Sequence, residues 1–295
     1  MTRFDRLLAC ADFSLSSEFA LERAALLAQA KAARLTVVHV LKRGALDSLH
    51  ALLAPDGGPS LQQGLVDQVR GELDALCRRL ASAYDIEVAD RVVVGAVIRE
   101  IVATSSACDA GLVVLGDRGA GFISELVLGS TTERVLSSSQ RPILVVKRQP
   151  RGPYRRVLIA VDFSAQSRFT LELARELAPA AEIVLLHVFD VPFEARLRHA
   201  GIDEEKVRHL RIAAKQAALE RMDDLIARAG LGGVELRRVL HHGLPGTGIV
   251  DQARELECDL VAVGRQDKGL AEEILVGSVA RHVLGFADTD VLVAI

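Results

Sequence analysis

The chain repeats itself once, and the length of the period fixes its organisation. Leu7-Leu8-Ala9-Cys10-Ala11-Asp12-Phe13-Ser14 aligns with Val157-Leu158-Ile159-Ala160-Val161-Asp162-Phe163-Ser164. Leu35-Thr36-Val37-Val38-His39-Val40 aligns with Ile183-Val184-Leu185-Leu186-His187-Val188. Gly95, Gly116 and Gly129 find counterparts in Gly243, Gly264 and Gly277. From the histidines to the Gly-Ser pairs the offset holds at 148 residues, and at Asp-Phe-Ser it is 150. The first helical region is therefore two residues shorter in the second half. A period this long is a duplicated domain, not a solenoid repeat.

Lys147-Arg148-Gln149-Pro150-Arg151-Gly152-Pro153 separates the halves. Two prolines, a glycine and three basic residues read as a short exposed linker. The expected domains are residues 1–149 and 154–295, joined by 150–153. Half of the residues are hydrophobic, enough to give each domain its own core.

Short apolar runs alternate with helical patterns in each half. In the first, strands are expected at about 6–11, 35–41, 86–94, 112–116 and 142–147, with helices at about 15–33, 61–83, 96–107 and 130–138. The runs are nearly continuous in Val, Ile and Leu, as strands buried on both faces of a parallel sheet must be. The fold class is thus α/β, with right-handed βαβ crossovers. Gly44 to Gly58, with Pro55-Asp56-Gly57-Gly58-Pro59, reads as a long loop, more simply a solvated excursion than a cover over a site.

A net charge of −3 with interspersed signs gives no nucleic-acid footprint. No apolar run reaches the ~18 residues that span a membrane, and Met1-Thr2-Arg3-Phe4-Asp5-Arg6 has no signal-peptide pattern. Cys10, Cys77, Cys108 and Cys258 share no redox or metal spacing. They read as reduced, mostly buried thiols, and the expected location is the cytoplasm.

The chemistry concentrates after the fourth strand. Leu112-Val113-Val114-Leu115 runs into Gly116-Asp117-Arg118-Gly119, and Gly129-Ser130 follows: G-x2-G-x9-G-S. Glycines let backbone N–H groups approach an anion. Ser130-Thr131-Thr132-Glu133 has the S-x-x-E pattern of a capping box, so a helix should open there with free N–H groups that favour phosphate. A glycine-rich turn before a capped helix, with no ligand, explains the same residues. No G-x-x-x-x-G-K-[ST] is present, and no G-x-G-x-x-G follows the first strand, so neither common phosphate loop applies. Gly243-Leu244-Pro245-Gly246-Thr247-Gly248 reads as a tight strand-to-helix turn.

Asp12 and Asp162 stand at the C-terminal ends of first strands, where open α/β sheets bind ligands. Each suits a ribose hydroxyl or a helix cap. His39 and His187 lie inside strands and read as hydrogen-bonded core groups. His241-His242 lacks nearby Cys or carboxylate spacing to complete a metal site. No nucleophile–base pair assembles from the sequence, so no catalytic residue is assigned.

The glycine motif after an apolar strand, Asp-Phe-Ser after the first strand and His-Val in the second, all duplicated in order, resemble the universal stress protein family. The resemblance covers nearly the whole chain, twice, as in tandem-domain members. It implies two Rossmann-like domains of the adenine nucleotide alpha hydrolase-like kind, each a five-stranded parallel sheet with helices on both faces. It also implies ATP in a cleft at the strand ends, with or without Mg2+ or Mn2+. By position, Ala11 and Asp12 would meet the adenosine, and Val40 would offer backbone contacts to adenine. Leu115, Gly116, Arg118 and Gly119 would line the nucleotide, and Gly129, Ser130 and Thr131 would hold phosphates. In the second half Val161, Asp162, Val188, Gly264, Gly277 and Ser278 match, but Asp267 replaces the second glycine. Like charges ~4 Å apart repel by about 4 kcal/mol at an effective dielectric of ~20, before screening. Arg265 and Lys268 would offset part of that. The expectation is ATP in the first domain and weak, absent or altered binding in the second.

The last strands, Ile143-Leu144-Val145-Val146 and Val291-Leu292-Val293-Ala294-Ile295, are apolar enough to need covering. In the family such strands pair, which implies a pseudo-twofold pair of domains within one chain, and allows a homodimer. The function so implied is a nucleotide-dependent stress-response regulator with an unnamed protein partner. A slow ATPase or other ATP-using enzyme, and an interaction module with vestigial sites, are the alternatives.

Overall fold

The computed structural model describes residues 3–44, 48, 58–119, 128–191, 194, 196, 203–231, 233–265 and 277–295. The chain divides into two compact units that part between Pro153 and Tyr154.

In the first unit the order is β1 (Arg6–Cys10), α1 (Leu15–Lys31), β2 (Arg34–Lys42), α2 (Gly58–Tyr84), β3 (Val88–Gly95), α3 (Val97–Ala107), β4 (Leu112–Gly116), α4 (Ser130–Ser138) and β5 (Ile143–Val146). The strands lie in the order β3-β2-β1-β4-β5, and all of these pairings are parallel. The order reverses between β1 and β4. That switch point leaves a crevice at the carboxyl ends of both strands, where an open sheet binds ligands. Cys10 ends β1 and Gly116 ends β4, so the Asp12 turn and the glycine motif open into one crevice.

The reasons are local. Leu7, Leu8 and Ala9 of β1 and Leu112 to Leu115 of β4 are buried on both faces, which demands helices above and below. Helix α1 covers β1 and β4 with Ala20, Leu21, Ala24, Ala25 and Ala28, and its many alanines let it approach closely. It begins at Ser14, whose hydroxyl accepts from the Ser17 N–H. It ends on Ala32 in the left-handed region. The outer strand β3 exposes Asp90 and Arg91, charges that blunt a sheet edge.

The second unit has β6 (Arg156–Ala160), α5 (Ala165–Leu177), β7 (Glu182–Phe189), α6 (Glu204–Arg228), β8 (Leu236–His242), α7 (Pro245–Glu255), β9 (Leu260–Gly264), α8 (Ser278–Phe286) and β10 (Asp290–Ala294). Its order, β8-β7-β6-β9-β10, is again all parallel, with the switch between β6 and β9. Arg237 and Arg238 lie exposed on outer strand β8.

The two units are α/β, as expected. Two local expectations change. Helix α2 begins at Gly58, so Pro59 sits in its first turn, where a missing N–H costs nothing. Most of the loop expected from Gly44 to Gly58 lies outside the described residues. Ser130 is not the cap of α4: Gly129 is, and no side chain caps it. The capping box does not form because the segment is tied elsewhere.

Candidate functional site

The first crevice is built by three glycines in close contact with named groups. A Cβ on Gly116 would fall 2.6 Å from Ser16 Oγ and 2.8 Å from the Ser16 backbone carbonyl. On Gly129 it would fall 3.0 Å from the carbonyl oxygen of Asp117 and 3.2 Å from the Arg118 Cα. On Gly119 it would fall 2.9 Å from Oδ2 of Asp12. The motif thus packs its backbone against α1, against its own return and against the β1 turn. A side chain at Gly116 is barred by the Ser16 backbone, while one at Gly129 or Gly119 would crowd the Asp117–Arg118 backbone or the Asp12 carboxylate.

The return is pinned twice. The Gly129 N–H donates to the Asp117 carbonyl at 2.8 Å, and Thr132 Oγ1 donates to the Gly116 carbonyl at 2.9 Å. The Gly129 N–H is therefore engaged within the loop. Glu133 N–H closes the first helical bond to Gly129 at 3.0 Å. The N–H groups of Ser130, Thr131 and Thr132 belong to the first turn, where a helix provides no partner of its own. Ser130 and Thr131 are exposed and Thr132 is buried.

Asp12 serves the turn and faces the motif at once. Its Oδ1 accepts from the Ser14 N–H at 3.0 Å and from the Ser14 hydroxyl at 2.5 Å. Phe13, between them, adopts φ 61°, a left-handed conformation that costs a bulky residue about 1–2 kcal/mol. Its ring lies against His39, centroids 4.7 Å apart. Nδ1 of His39 meets the Ala11 carbonyl at 2.8 Å, and since a carbonyl only accepts, Nδ1 carries the proton. Ala11 and Leu115 are buried and Val40 is half-buried at the end of β2. Cys10, one residue before Ala11, is held as a neutral thiol by burial and by the nearby Asp12 carboxylate.

The second crevice keeps the turn and changes what stands behind it. Phe163 has φ 62° and lies 4.3 Å from His187, whose Nδ1 meets the Val161 carbonyl at 2.8 Å. Asp162 accepts from the Ser164 N–H at 3.0 Å and the Ser167 hydroxyl at 2.8 Å. Arg221 of α6 lies over the Phe163 ring at 4.5 Å. Val188 is half-buried, and Gly264 ends β9. Gly277 caps α8, which begins at Ser278. Behind Gly264, a Cβ would meet Gln166 Cγ at 2.8 Å where the first unit has Ser16. Asp267 and Lys268 lie outside the described residues.

Gly243 takes φ 152° and leads into α7 with Pro245 in its first turn, the tight turn expected there. His242 lies farther out, where Asp190, Glu194 and His242 each place one ligand atom within 4.8 Å of the others. Nε2 of His242 is 3.0 Å from Glu194. Arg211 already forks onto both oxygens of Glu194, which makes the group an ion-pair network.

A model of the universal stress protein family matches residues 3–147 and again 153–294. The chain belongs to that family. Universal stress protein MJ0577 of Methanocaldococcus jannaschii is 27% identical over 157 residues, 50% of this chain and 96% of that one. Universal stress protein Rv2623 of Mycobacterium tuberculosis is 29% identical over 193 residues, 63% of this chain and 62% of its own. The match thus spans less than two thirds of that mycobacterial relative. A universal stress protein from Archaeoglobus fulgidus superimposes with a TM-score of 0.74 at 20% identity, covering 99% of both chains, a likeness of fold.

Within this universal stress protein, two residues that sequence reasoning passed over join the first crevice. Ser16 Oγ donates to Asp117 Oδ1 at 2.7 Å, and Arg118 Nε lies 3.2 Å from Asp117 Oδ2. The glycine motif drew attention to its glycines, while Asp117 sat unread between them. Its partner Ser16 is 101 residues away in sequence, beyond any local pattern. Among the described residues no helix is long and apolar enough to cross a membrane.

Proposed function

We propose that this universal stress protein is a regulator that binds ATP in the crevice of its first unit. The observation that carries the reading is the cradle of Gly116, Gly119 and Gly129, where a side chain would crowd Ser16, Asp12 or the Asp117–Arg118 backbone. Such a backbone leaves room at the turn of a helix whose N–H groups favour phosphate. Ser130 and Thr131 add hydroxyls, Arg118 a cation, and Asp12 Oδ2 a ribose acceptor beside Gly119. Val40, Ala11 and Leu115 supply the apolar side for the base. Mg2+ or Mn2+ would accompany the triphosphate as part of the ligand.

The second unit is proposed to bind ATP weakly or not at all. Asp267 stands in the sequence where the second glycine would be, and Gln166 and Arg265 replace Ser16 and Asp117. Buried Nε2 of Gln166 has no hydrogen-bond partner among the described residues. The bound state would be read by a protein partner, in the cytoplasm, a setting supported by four free thiols.

The test is to denature the purified full chain and count the released nucleotide. About one ATP per chain supports the reading, and ADP alongside it indicates slow turnover. Two ATP per chain refutes the asymmetry. No nucleotide, with no calorimetric ATP binding, refutes the whole and favours an interaction module.

A further inference from the structure

We infer that Ser16 and Asp117 are positioning residues that hold Arg118 against the nucleotide's phosphates, and that the second unit has lost this brace. The inference rests on the reading of the first crevice as an ATP site. Asp117 is buried, yet it lies in the very loop assigned to a polyanion. On charge alone that is the wrong residue for the place. Its contacts explain it. One carboxylate oxygen takes the Ser16 hydroxyl at 2.7 Å, and the other faces Arg118 Nε at 3.2 Å. The Arg118 N–H also reaches Ser16 Oγ, at 3.4 Å. A buried carboxylate with both oxygens engaged gives a charge-assisted and directional hold on a long side chain.

The brace spans two rigid elements. Ser16 lies in the first turn of α1 and Asp117 directly follows β4, whose last residue presses on Ser16. Asp117 N–H is itself fixed to the Val146 carbonyl of β5 at 3.1 Å. Arg118 is thereby placed by the sheet and the helix together, as a preorganised binding group must be.

The second unit supplies the internal comparison. Gly264 presses on Gln166 as Gly116 presses on Ser16, so the positions are equivalent. Arg265 follows β9 where Asp117 follows β4, and it too is buried. A guanidinium cannot accept a hydrogen bond, so Arg265 cannot play the acceptor's part that Asp117 plays, and the sequence has Gln266 rather than an arginine at the place of Arg118. The buried Nε2 of Gln166, without a hydrogen-bond partner among the described residues, accords with the same loss.

Calorimetric titration of the full chain with ATP and with adenosine tests this. Asp117→Asn keeps the shape but leaves one acceptor, and it removes a negative charge. The brace predicts ATP binding weakened about tenfold, with adenosine within about twofold of wild type. In an Arg118→Ala background the same change has no further effect, because Asp117 acts through Arg118. ATP affinity that rises or stays level overturns the inference, since Asp117 is then only a charge. Equal losses for ATP and adenosine overturn it too, as does a loss undiminished without Arg118. Wild-type protein that binds neither ligand overturns the underlying ATP reading and this inference with it. If Asp117→Asn does not fold, Ser16→Ala, which removes only the hydroxyl, is read in the same way.

Discussion

Oδ2 of Asp12 stands 2.9 Å from the point where a side chain on Gly119 would begin. Asp12 cannot simply swing aside, because its other oxygen holds the Ser14 N–H and hydroxyl. Gly119→Ala therefore displaces either the carboxylate or the loop. The expected result is ATP binding weakened about tenfold, with stability changed by less than about 1 kcal/mol. Gly119→Asp, which copies the residue of the second half, should lose calorimetric ATP binding altogether. Titration and chemical unfolding of both variants check this, and unchanged affinity in Gly119→Asp would count against the site.

Gly116 and Gly111 separate packing from binding. A Cβ on Gly111 would fall 1.7 Å from the Arg3 carbonyl oxygen, while one on Gly116 would fall 2.8 Å from the Ser16 backbone. Both alanine variants should lose about 1–3 kcal/mol or more of stability, Gly111→Ala the more severely. Where the protein still folds, only Gly116→Ala should weaken ATP. Urea midpoints alongside titrations give the comparison.

Tyr154 is buried, and its hydroxyl donates to Asp290 Oδ2 at 2.6 Å. The aligned residue of the first half is Phe4, also buried. Tyr154→Phe fits the space but takes a donor from a buried carboxylate. The expected cost is about 1–3 kcal/mol, read as a lower urea midpoint, with ATP binding unchanged.

His187 makes stability depend on pH. Burial is the main cause that lowers its pKa below the ordinary 6.5, and Arg221 adds to it, against the Val161 carbonyl and Asp162. The unfolded chain then binds the proton more readily than the folded one. This contribution is complete above about pH 6.5 and is lost as pH falls from there through the depressed value. The urea midpoint should drop across that interval, and His187→Gln should remove this part of the slope. An identical slope in the variant would refute the assignment.

Burial also pushes the Cys77 and Cys258 thiols up to about 12. Their alkylation at pH 8 in the folded protein should run on the order of a hundredfold slower than in denaturant. Mass spectrometry over a time course resolves the two sites.

Much of the fold can be read from the chain. Leu7 to Cys10 and Leu112 to Leu115 are apolar runs with no alternation, and only burial on both faces accounts for them. The close backbone contacts of the motif glycines and the turn made by Asp12 were legible because both follow from residue type and place. Contacts across the fold were not. Ser16 meets Asp117, and His242 meets Glu194 48 residues away, through pairings that no local spacing announces. The capping box at Ser130 was misread for a related reason. Thr132 gives its hydroxyl to Gly116, and Gly129 becomes the cap.

Phe13 and Phe163 keep the same left-handed turn in both halves, each against its histidine. Behind them Ser16 has become Gln166 and Asp117 has become Arg265. The strained Asp-Phe-Ser turn is thus scaffolding common to both halves, kept where the residues behind it differ. On the reading proposed above, it is the residue directly after the fourth strand of each half, Asp117 or Arg265, that would set a nucleotide socket apart from a bare copy.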